Sequence, residues 1–347
     1  MAEVIPVLII SALPETDTAL SLPRAPDDCL RMLAVTELPR CGGAEVELED
    51  RRATEPELAQ LRLLLATRGV LVVRGAACGV PDFAALCRGI GPLHDDVNGP
   101  GRGRLELLAS GAGIELHYIS NLDLATDTAM DGPTSMLSDA NGDWHADYSW
   151  EPKPSRFTAL FGIEVAAGGG AKTQLASTRR GFDSLSAELQ VRCRGRVVRH
   201  RPGGADAGED PGTAAPNFAG TDHTAAGLQA ARDAARRQTQ GAALVDNHVV
   251  ATVRRPLLLR GALLLGRHAY EIEGEDPEQG LLRELTSHCL DDSRVYTHEW
   301  REGDCLIWDN EAMLHRAVPG VSGTRRHLAR TVIASLHGDV SEEAARL

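Results

Sequence analysis

Apolar residues in this chain fall into short, strand-length segments broken by turns, and that pattern restricts the fold more than any other feature. The segments Phe157–Val165, Arg196–His200, Val249–Arg254, Leu263–Gly266, Cys305–Trp308 and Leu328–Ser335 are joined by long irregular connections. Many short strands with such connections point to an antiparallel barrel or jelly roll. Helical periodicity shows earlier in the chain. Leu58, Leu61, Leu64 and Leu65 recur at helical spacing after Glu55, and Gly69 follows as a C-terminal cap. Val70–Val73 then reads as a buried strand, and a short helix over about Pro81–Gly89 runs into the turn Gly91-Pro92. Leu116–Ser120 reads as a further strand, and the polar stretch Asp123–Asp143 as a loop.

The length of 347 residues suits about two domains of ~150 residues, although barrels and sandwiches often use about 200–250 or more as one. The expected organisation is an N-terminal arm over 1–30 and a single domain over 31–347, mainly β with flanking helices. A flexible insertion or lid is expected over about 201–240. Arg201–Gly220 is dominated by Gly, Ala, Asp and Pro, and the alanine-rich Thr224–Gln240 reads as a short helix. There is no internal repeat, and Gly168-Gly169-Gly170 fits neither Walker nor Rossmann spacing.

Charge narrows the partners. Lys and Arg number 36 against 49 Asp and Glu, a net charge of −13, which argues against nucleic acid or an anionic membrane as partner. Aromatic residues make up only 4%, too few for base-stacking platforms. The seven cysteines (29, 41, 78, 87, 193, 289 and 305) are odd in number, scattered and without a Cys-x-x-Cys pair. Reduced thiols in a cytoplasmic protein fit that usage better than a disulfide framework or structural zinc. The apolar stretch Val4–Leu13 contains a proline, lacks a basic n-region and is too short to span a bilayer.

Chemistry concentrates in Trp144-His145-Ala146-Asp147. On a strand, residues i and i+2 share a face, so His145 and Asp147 present an imidazole and a carboxylate side by side. A lone His-x-Asp arises often by chance, and a metal needs another ligand. His315, just after the segment Cys305–Trp308, is the candidate. Two histidines and a carboxylate on one face of an octahedral ion leave the opposite face open, as in the facial triad of non-haem iron(II) oxygenases. The same three ligands suit a zinc hydrolase with one bound water.

Arg326 and Arg330 lie 11 and 15 residues beyond His315. In a strand both guanidinium groups share a face with Leu328 and Val332, whereas Arg325 points the other way, to solvent. Buried arginines are costly unless they meet carboxylates, whose geometry the planar fork matches. A zinc hydrolase leaves this pair unexplained.

Together these segments resemble the taurine dioxygenase (TauD/TfdA-like) family of iron(II)- and 2-oxoglutarate-dependent dioxygenases. The resemblance runs from about Leu38 to Ser335. Its ordered elements are Val72-Val73-Arg74-Gly75, Gly91-Pro92-Leu93-His94, Ile119-Ser120-Asn121, Trp144–Pro152, Gly168–Thr173, and Gly303–Asn310 leading to His315 and the arginines.

The resemblance implies a double-stranded β-helix, a cupin-like jelly roll, with His145, Asp147 and His315 as Fe(II) ligands. It implies 2-oxoglutarate as co-substrate, its distal carboxylate held by Arg326 and Thr173, and O2 as oxidant. Arg330 matches a position that binds co-substrate or an anionic substrate, and His94, Asp95, Asp96 and Asn121 match positions lining the substrate pocket. Two departures stand out. Ala171 and Lys172 separate the glycines from Thr173 where the family usually has a single Asp. The carboxylates Asp95 and Asp96 stand where sulfonate users place histidine, which disfavours a taurine-like substrate.

The implied reaction decarboxylates 2-oxoglutarate to succinate and CO2 while hydroxylating an unactivated C–H bond. Asp147, where halogenating relatives have Gly or Ala, favours hydroxylation over halogenation, while desaturation and oxidative dealkylation use the same ligands and stay open as alternatives. The expected partner is a small molecule, a natural-product intermediate or amino acid-like compound, with no nucleic acid and no membrane; a homo-oligomer is left open. Ala, Arg and Gly richness hints at the secondary metabolism of a GC-rich bacterium. Alternatives are a catabolic oxygenase of an organic acid or sulfonate, a peptide or protein hydroxylase, and an inactive binding barrel. The four Trp residues read as core or rim packing, His200 as a structural strand residue, His268 and His298 as surface or satisfied core, and Cys305 as a small buried hydrophobe.

Overall fold

Thr54 starts the first helix. The Glu57 carboxylate accepts from its backbone N–H at 2.8 Å and from its hydroxyl at 2.9 Å, satisfying a donor that helix starts leave orphaned. Gly69 ends it at φ +76°, a left-handed position that favours glycine. Leu61 and Leu65 are buried, with Leu58 and Leu64 packed beside them, so the leucine stripe read from spacing faces the core.

A computed structural model describes residues 32–49, 52–76, 79–93, 117–120, 122–123, 128–129, 144–152, 154–166, 172–201, 252–275, 280–318 and 324–338. The expected arm over 1–30, the insertion beyond Arg201 with the helix Thr224–Gln240, and most of the loop 123–143 lie outside these residues. In chain order the first elements are β1 (Thr36–Glu37), β2 (Ala44–Glu47), α1 (Glu55–Arg68), β3 (Val70–Arg74), α2 (Val80–Ile90), β4 (His117–Ser120), β5 (Leu122–Asp123) and β6 (Thr128–Ala129). Then come β7 (Phe157–Val165), β8 (Lys172–Ser177), α3 (Thr178–Asp183), α4 (Ala187–Cys193), β9 (Val197–His200), β10 (Val253–Pro256), β11 (Leu258–Leu259), β12 (Ala262–Leu263) and β13 (Ala269–Ile272). The last are α5 (Leu281–Cys289), β14 (Val295–His298), β15 (Cys305–Asp309), β16 (Met313–Val318) and β17 (Arg326–Ile333).

Two sheets build the jelly roll. The larger has the order β1-β2-β3-β15-β7-β17-β4, antiparallel except for the parallel pair β2–β3. The smaller has the order β14-β8-β16. Between them pack Val70, Val72, Leu160, Leu306, Trp308 and Leu328 from one side and Leu175, Tyr296 and Met313 from the other. The alternate residues of the larger sheet, such as Leu71, Val73, Phe161, Ile307 and Ile333, pack under α1 and α2 with Leu61, Leu65 and Phe83. β15 is therefore buried on both faces, which is why Cys305–Trp308 reads as a continuous apolar run. Full burial of each Leu, Ile or Val there is worth about 1.5–3 kcal/mol.

Several boundaries differ from the sequence reading. Of the segment Val249–Arg254, residues 249–251 lie outside the described residues and β10 runs from Val253, and of Leu263–Gly266 only Leu263 is strand, as the end of β12. Gly266 sits at φ +100°, where L side chains are strained. Helix α5 went unread because Leu281, Leu285 and Cys289 give it a narrow apolar stripe among polar residues. Strand β17 keeps its alternation: Leu328 faces the space between the sheets, while Ala329 and Ile333 face α2. Arg325 lies outside that strand and pairs with Glu164, in line with its outward orientation in the sequence reading.

Candidate metal centre

His145 and His315 meet through an isolated β-bridge. The His145 N–H donates to the His315 carbonyl at 3.0 Å, the His315 N–H donates back at 2.8 Å, and the ring centroids lie 4.2 Å apart. Asp147, two residues on, completes the cluster. Its Oδ1 is 3.7 Å from His145 Nε2 and its Oδ2 is 3.8 Å from His315 Nε2. One ligand atom from each residue lies within 4.8 Å of the others. Tyr148 turns the chain away immediately afterwards at φ +56°, a position that a non-glycine residue rarely adopts.

The donor chemistry fits a divalent iron. Burial alone would raise the Asp147 carboxyl, but Arg330, His315, His145 and the Thr158 hydroxyl hold it well below the usual carboxylate range. Burial, reinforced by His145 and opposed by Asp147, pushes His315 down to about 3, so it is neutral near pH 7 and keeps a lone pair for a metal. One ionised carboxylate with imidazole nitrogens on one face is the donor set of non-haem Fe(II) sites. The His315 ring also packs 4.5 Å from the ring of Trp308.

Around Asp147 the polar contacts are dense. Arg330 Nη2 donates to Oδ2 at 2.6 Å, and the Arg330 guanidinium lies 5.4 Å from the Tyr148 ring centroid. The Thr158 hydroxyl donates to the same oxygen at 2.7 Å. Asn310 Nδ2 donates to Thr158 Oγ1 at 2.9 Å, and Trp308 Nε1 donates to Asn310 Oδ1 at 2.9 Å.

Further along β17, Arg326 lies opposite Val165, about 13 Å from Arg330 at the rise of an extended strand. Burial pushes its guanidinium down to about 10. On β8, Thr173 is buried between His298 and Ala317 of the neighbouring strands. Trp300 Nε1 donates to Thr173 Oγ1 at 3.1 Å, while the indole lies over Gly162, where an added Cβ would sit 3.5 Å from Cε3. The indole thus joins the two sheets at Thr173.

His145, Asp147 and His315 are therefore brought together, with Arg330 beside them. His94, Asp95, Asp96 and Asn121 lie outside the described residues. Sequence reasoning passed over Thr158, Asn310 and Trp300 as polar partners, and did not place His268 beside the cluster. The His268 ring is 6.1 Å from His145 and 4.1 Å from Trp150, and burial, reinforced by its neighbours His145 and Arg267, pushes it down to about 3. His200 is buried, with Nδ1 3.2 Å from Ser149 Oγ, and Cys305 is fully buried.

The family model described as "Taurine catabolism dioxygenase TauD, TfdA family" matches residues 34–332. The chain belongs to this family. It is 30% identical over 244 residues to (S)-phenoxypropionate/alpha-ketoglutarate-dioxygenase of Sphingobium herbicidovorans, covering 67% of this chain and 76% of that protein. It is 28% identical to alpha-ketoglutarate-dependent 2,4-dichlorophenoxyacetate dioxygenase of Cupriavidus pinatubonensis, over 79% and 87% of the two chains. Pentalenolactone F synthase of Streptomyces arenae is 26% identical over 80% of this chain and 86% of its own. The crystal structure of AAD-2 in complex with Mn(II) and N-oxalylglycine shares the fold at a TM-score of 0.63 and 22% identity, covering 88% of this chain and 98% of that one. As a member of the TauD, TfdA family the chain is an Fe(II)- and 2-oxoglutarate-dependent oxygenase that uses O2. Among the described residues no helix is long and apolar enough to cross a membrane.

Proposed function

We propose that this oxygenase hydroxylates a C–H bond of a small organic acid, with His145, Asp147 and His315 as the iron ligands. The observation that carries the reading is the cluster itself: two histidines tied by a backbone bridge and an ionised carboxylate, with an arginine against the carboxylate. Bound iron, 2-oxoglutarate and O2 supply the oxidising chemistry; one oxygen atom goes to the product and the other to succinate, with release of CO2. The protein's part is to orient one C–H bond and exclude water. Thr173 and Arg326 would hold the distal carboxylate of 2-oxoglutarate, a planar anion that a buried guanidinium matches. Arg330 would face the acid group of the substrate with the donors not used on Asp147, and His94, Asp96 and Asn121 would line the remaining pocket. An organic acid is favoured because the phenoxypropionate and dichlorophenoxyacetate dioxygenases named above act on carboxylates.

A second reading, oxidation of a natural-product intermediate, is favoured by the likeness to pentalenolactone F synthase. Succinate release from 2-oxoglutarate tests both. Stimulation by aryloxyalkanoic acids, absent with the corresponding amides, supports the acid reading. Stimulation by neutral natural-product scaffolds alone transfers support to the second, and stimulation by peptides alone overturns both.

A further inference from the structure

Trp308, Asn310, Thr158 and Asp147 form a hydrogen-bonded chain in which each proton has only one consistent position. An indole N–H can only donate, so the Asn310 atom 2.9 Å from Trp308 Nε1 is its carbonyl oxygen. The other end of the Asn310 amide is then the NH2 group, and it donates to Thr158 Oγ1 at 2.9 Å. Because Thr158 Oγ1 accepts there, its own proton is directed to the neighbouring acceptor, Asp147 Oδ2, at 2.7 Å. The Asp147 N–H lies 3.4 Å from Asn310 Oδ1, which ties the same amide to the ligand's backbone.

Oδ2 of Asp147 thus receives two donors, Thr158 and Arg330, at 2.7 and 2.6 Å. A carboxylate offers about four lone-pair positions over its two oxygens, so two donors fill those of Oδ2. Among the described residues no donor hydrogen-bonds Oδ1, which faces His145 Nε2 at 3.7 Å.

We propose that Thr158, with its hydroxyl direction set by Asn310 and Trp308, is a positioning residue that keeps Oδ2 of Asp147 off the metal, so that the carboxylate binds through Oδ1 alone. A carboxylate that swings to bind through both oxygens takes a coordination position otherwise open to 2-oxoglutarate or O2. The relay therefore protects the open face of the triad. Thr158 and its neighbours are well placed for this, because Thr158 is fully buried and lies directly opposite Trp308 on β15 and Val332 on β17.

This inference rests on the assignment of Asp147 as a metal ligand, and the test separates the two. Full-length apoprotein is titrated anaerobically with Fe(II) for affinity and with Co(II) for its d–d absorption spectrum, for the wild type and the variants Thr158→Val, Thr158→Ser and Asp147→Ala. Loss of a group that orients a metal ligand typically weakens metal binding about 10–100-fold. Thr158→Val, which keeps shape and removes the hydroxyl, is expected to bind Fe(II) at least about 10-fold more weakly and to show an altered Co(II) spectrum. Thr158→Ser restores both. Circular dichroism checks that the valine variant folds; should it not, Asn310→Ala, which frees the Thr158 hydroxyl to rotate, is expected to change the Co(II) spectrum in the same direction. If wild type binds neither metal, or Asp147→Ala binds as well as wild type, the metal assignment is wrong. If wild type binds, Asp147→Ala does not, and Thr158→Val matches wild type in affinity and spectrum, the assignment stands and the relay is refuted.

Discussion

His145 and His315 hold each other through two backbone hydrogen bonds, at 3.0 and 2.8 Å, before any metal is considered. Two imidazoles delivered from distant parts of the chain are thereby locked to a single register, and Asp147 follows at a fixed two-residue offset. The imidazole and carboxylate groups of this cluster are arranged by backbone pairing, with the side chains adding only their rotamers. Catalytic and binding groups need such support, since small misplacements are costly.

Gly266 guards that register from outside. A Cβ there would lie 2.9 Å from Leu314 Cδ2, 3.1 Å from His145 Cα and 3.2 Å from the Trp144 carbonyl, at a φ of +100°. Gly266→Ala is expected to destabilise the fold by about 1–3 kcal/mol, from overpacking and backbone strain. Chemical denaturation measures it, and a variant as stable as wild type would show that His145 is free to move.

Trp300 sets the Thr173 hydroxyl. Trp300→Phe removes the indole donor to Thr173 Oγ1 while keeping most of the packing. A neutral hydrogen bond is worth about 0.5–1.5 kcal/mol, so the KM for 2-oxoglutarate should rise about 2- to 10-fold with kcat little changed. An unchanged KM would mean that Thr173 does not contact the co-substrate.

Arg326 should respond more strongly. Hydrogen bonds to charged groups contribute about 1.5–3 kcal/mol, so Arg326→Gln is expected to raise the KM for 2-oxoglutarate by about 10- to 100-fold. Steady-state kinetics across 2-oxoglutarate concentrations decide this. A variant with normal KM would remove Arg326 from the co-substrate site.

His200 links stability to pH. Burial, with a smaller contribution from Arg255, pushes it down to about 3 in the folded state, against an ordinary value near 6.5. Between those values the unfolded chain binds the extra proton, so this contribution is fully present above about pH 6.5 and is lost as pH falls towards 3. The slope is at most about 1.4 kcal/mol per pH unit. Urea unfolding at pH 7 and pH 5 should show His200→Gln losing less stability on acidification than wild type. Equal losses would contradict the burial argument.

How far the sequence announces this architecture depends on the range of the interactions. Helix α1 was legible because its signals are local: leucines at helical spacing after Glu55 and Gly69 as the closing cap, while the cap at Thr54 emerged only from the structure. The inward faces of Arg326 and Arg330 followed from the alternation of one strand, which the pairing with β7 preserves across an irregularity at His327/Leu328. Thr158 and Trp300 were not legible. Each finds its partner across strand pairs whose register no local pattern encodes, β7 with β15 for Thr158 and the neighbourhood of β8 for Trp300. A buried indole must find an acceptor, which is the signal that marks Trp300 and Trp308 as polar partners as well as packing. The acceptor's identity emerges only from the fold.

The most direct test of the account is an anaerobic ultraviolet–visible titration of the full-length protein with Fe(II) and then 2-oxoglutarate, beside His145→Ala and Asp147→Ala. A weak visible charge-transfer band that appears only when both are added, and is absent in the two variants, is the predicted result. Bound iron without the band, or the same band in Asp147→Ala, would contradict the assignment of His145, Asp147 and His315 as the site where iron and 2-oxoglutarate meet.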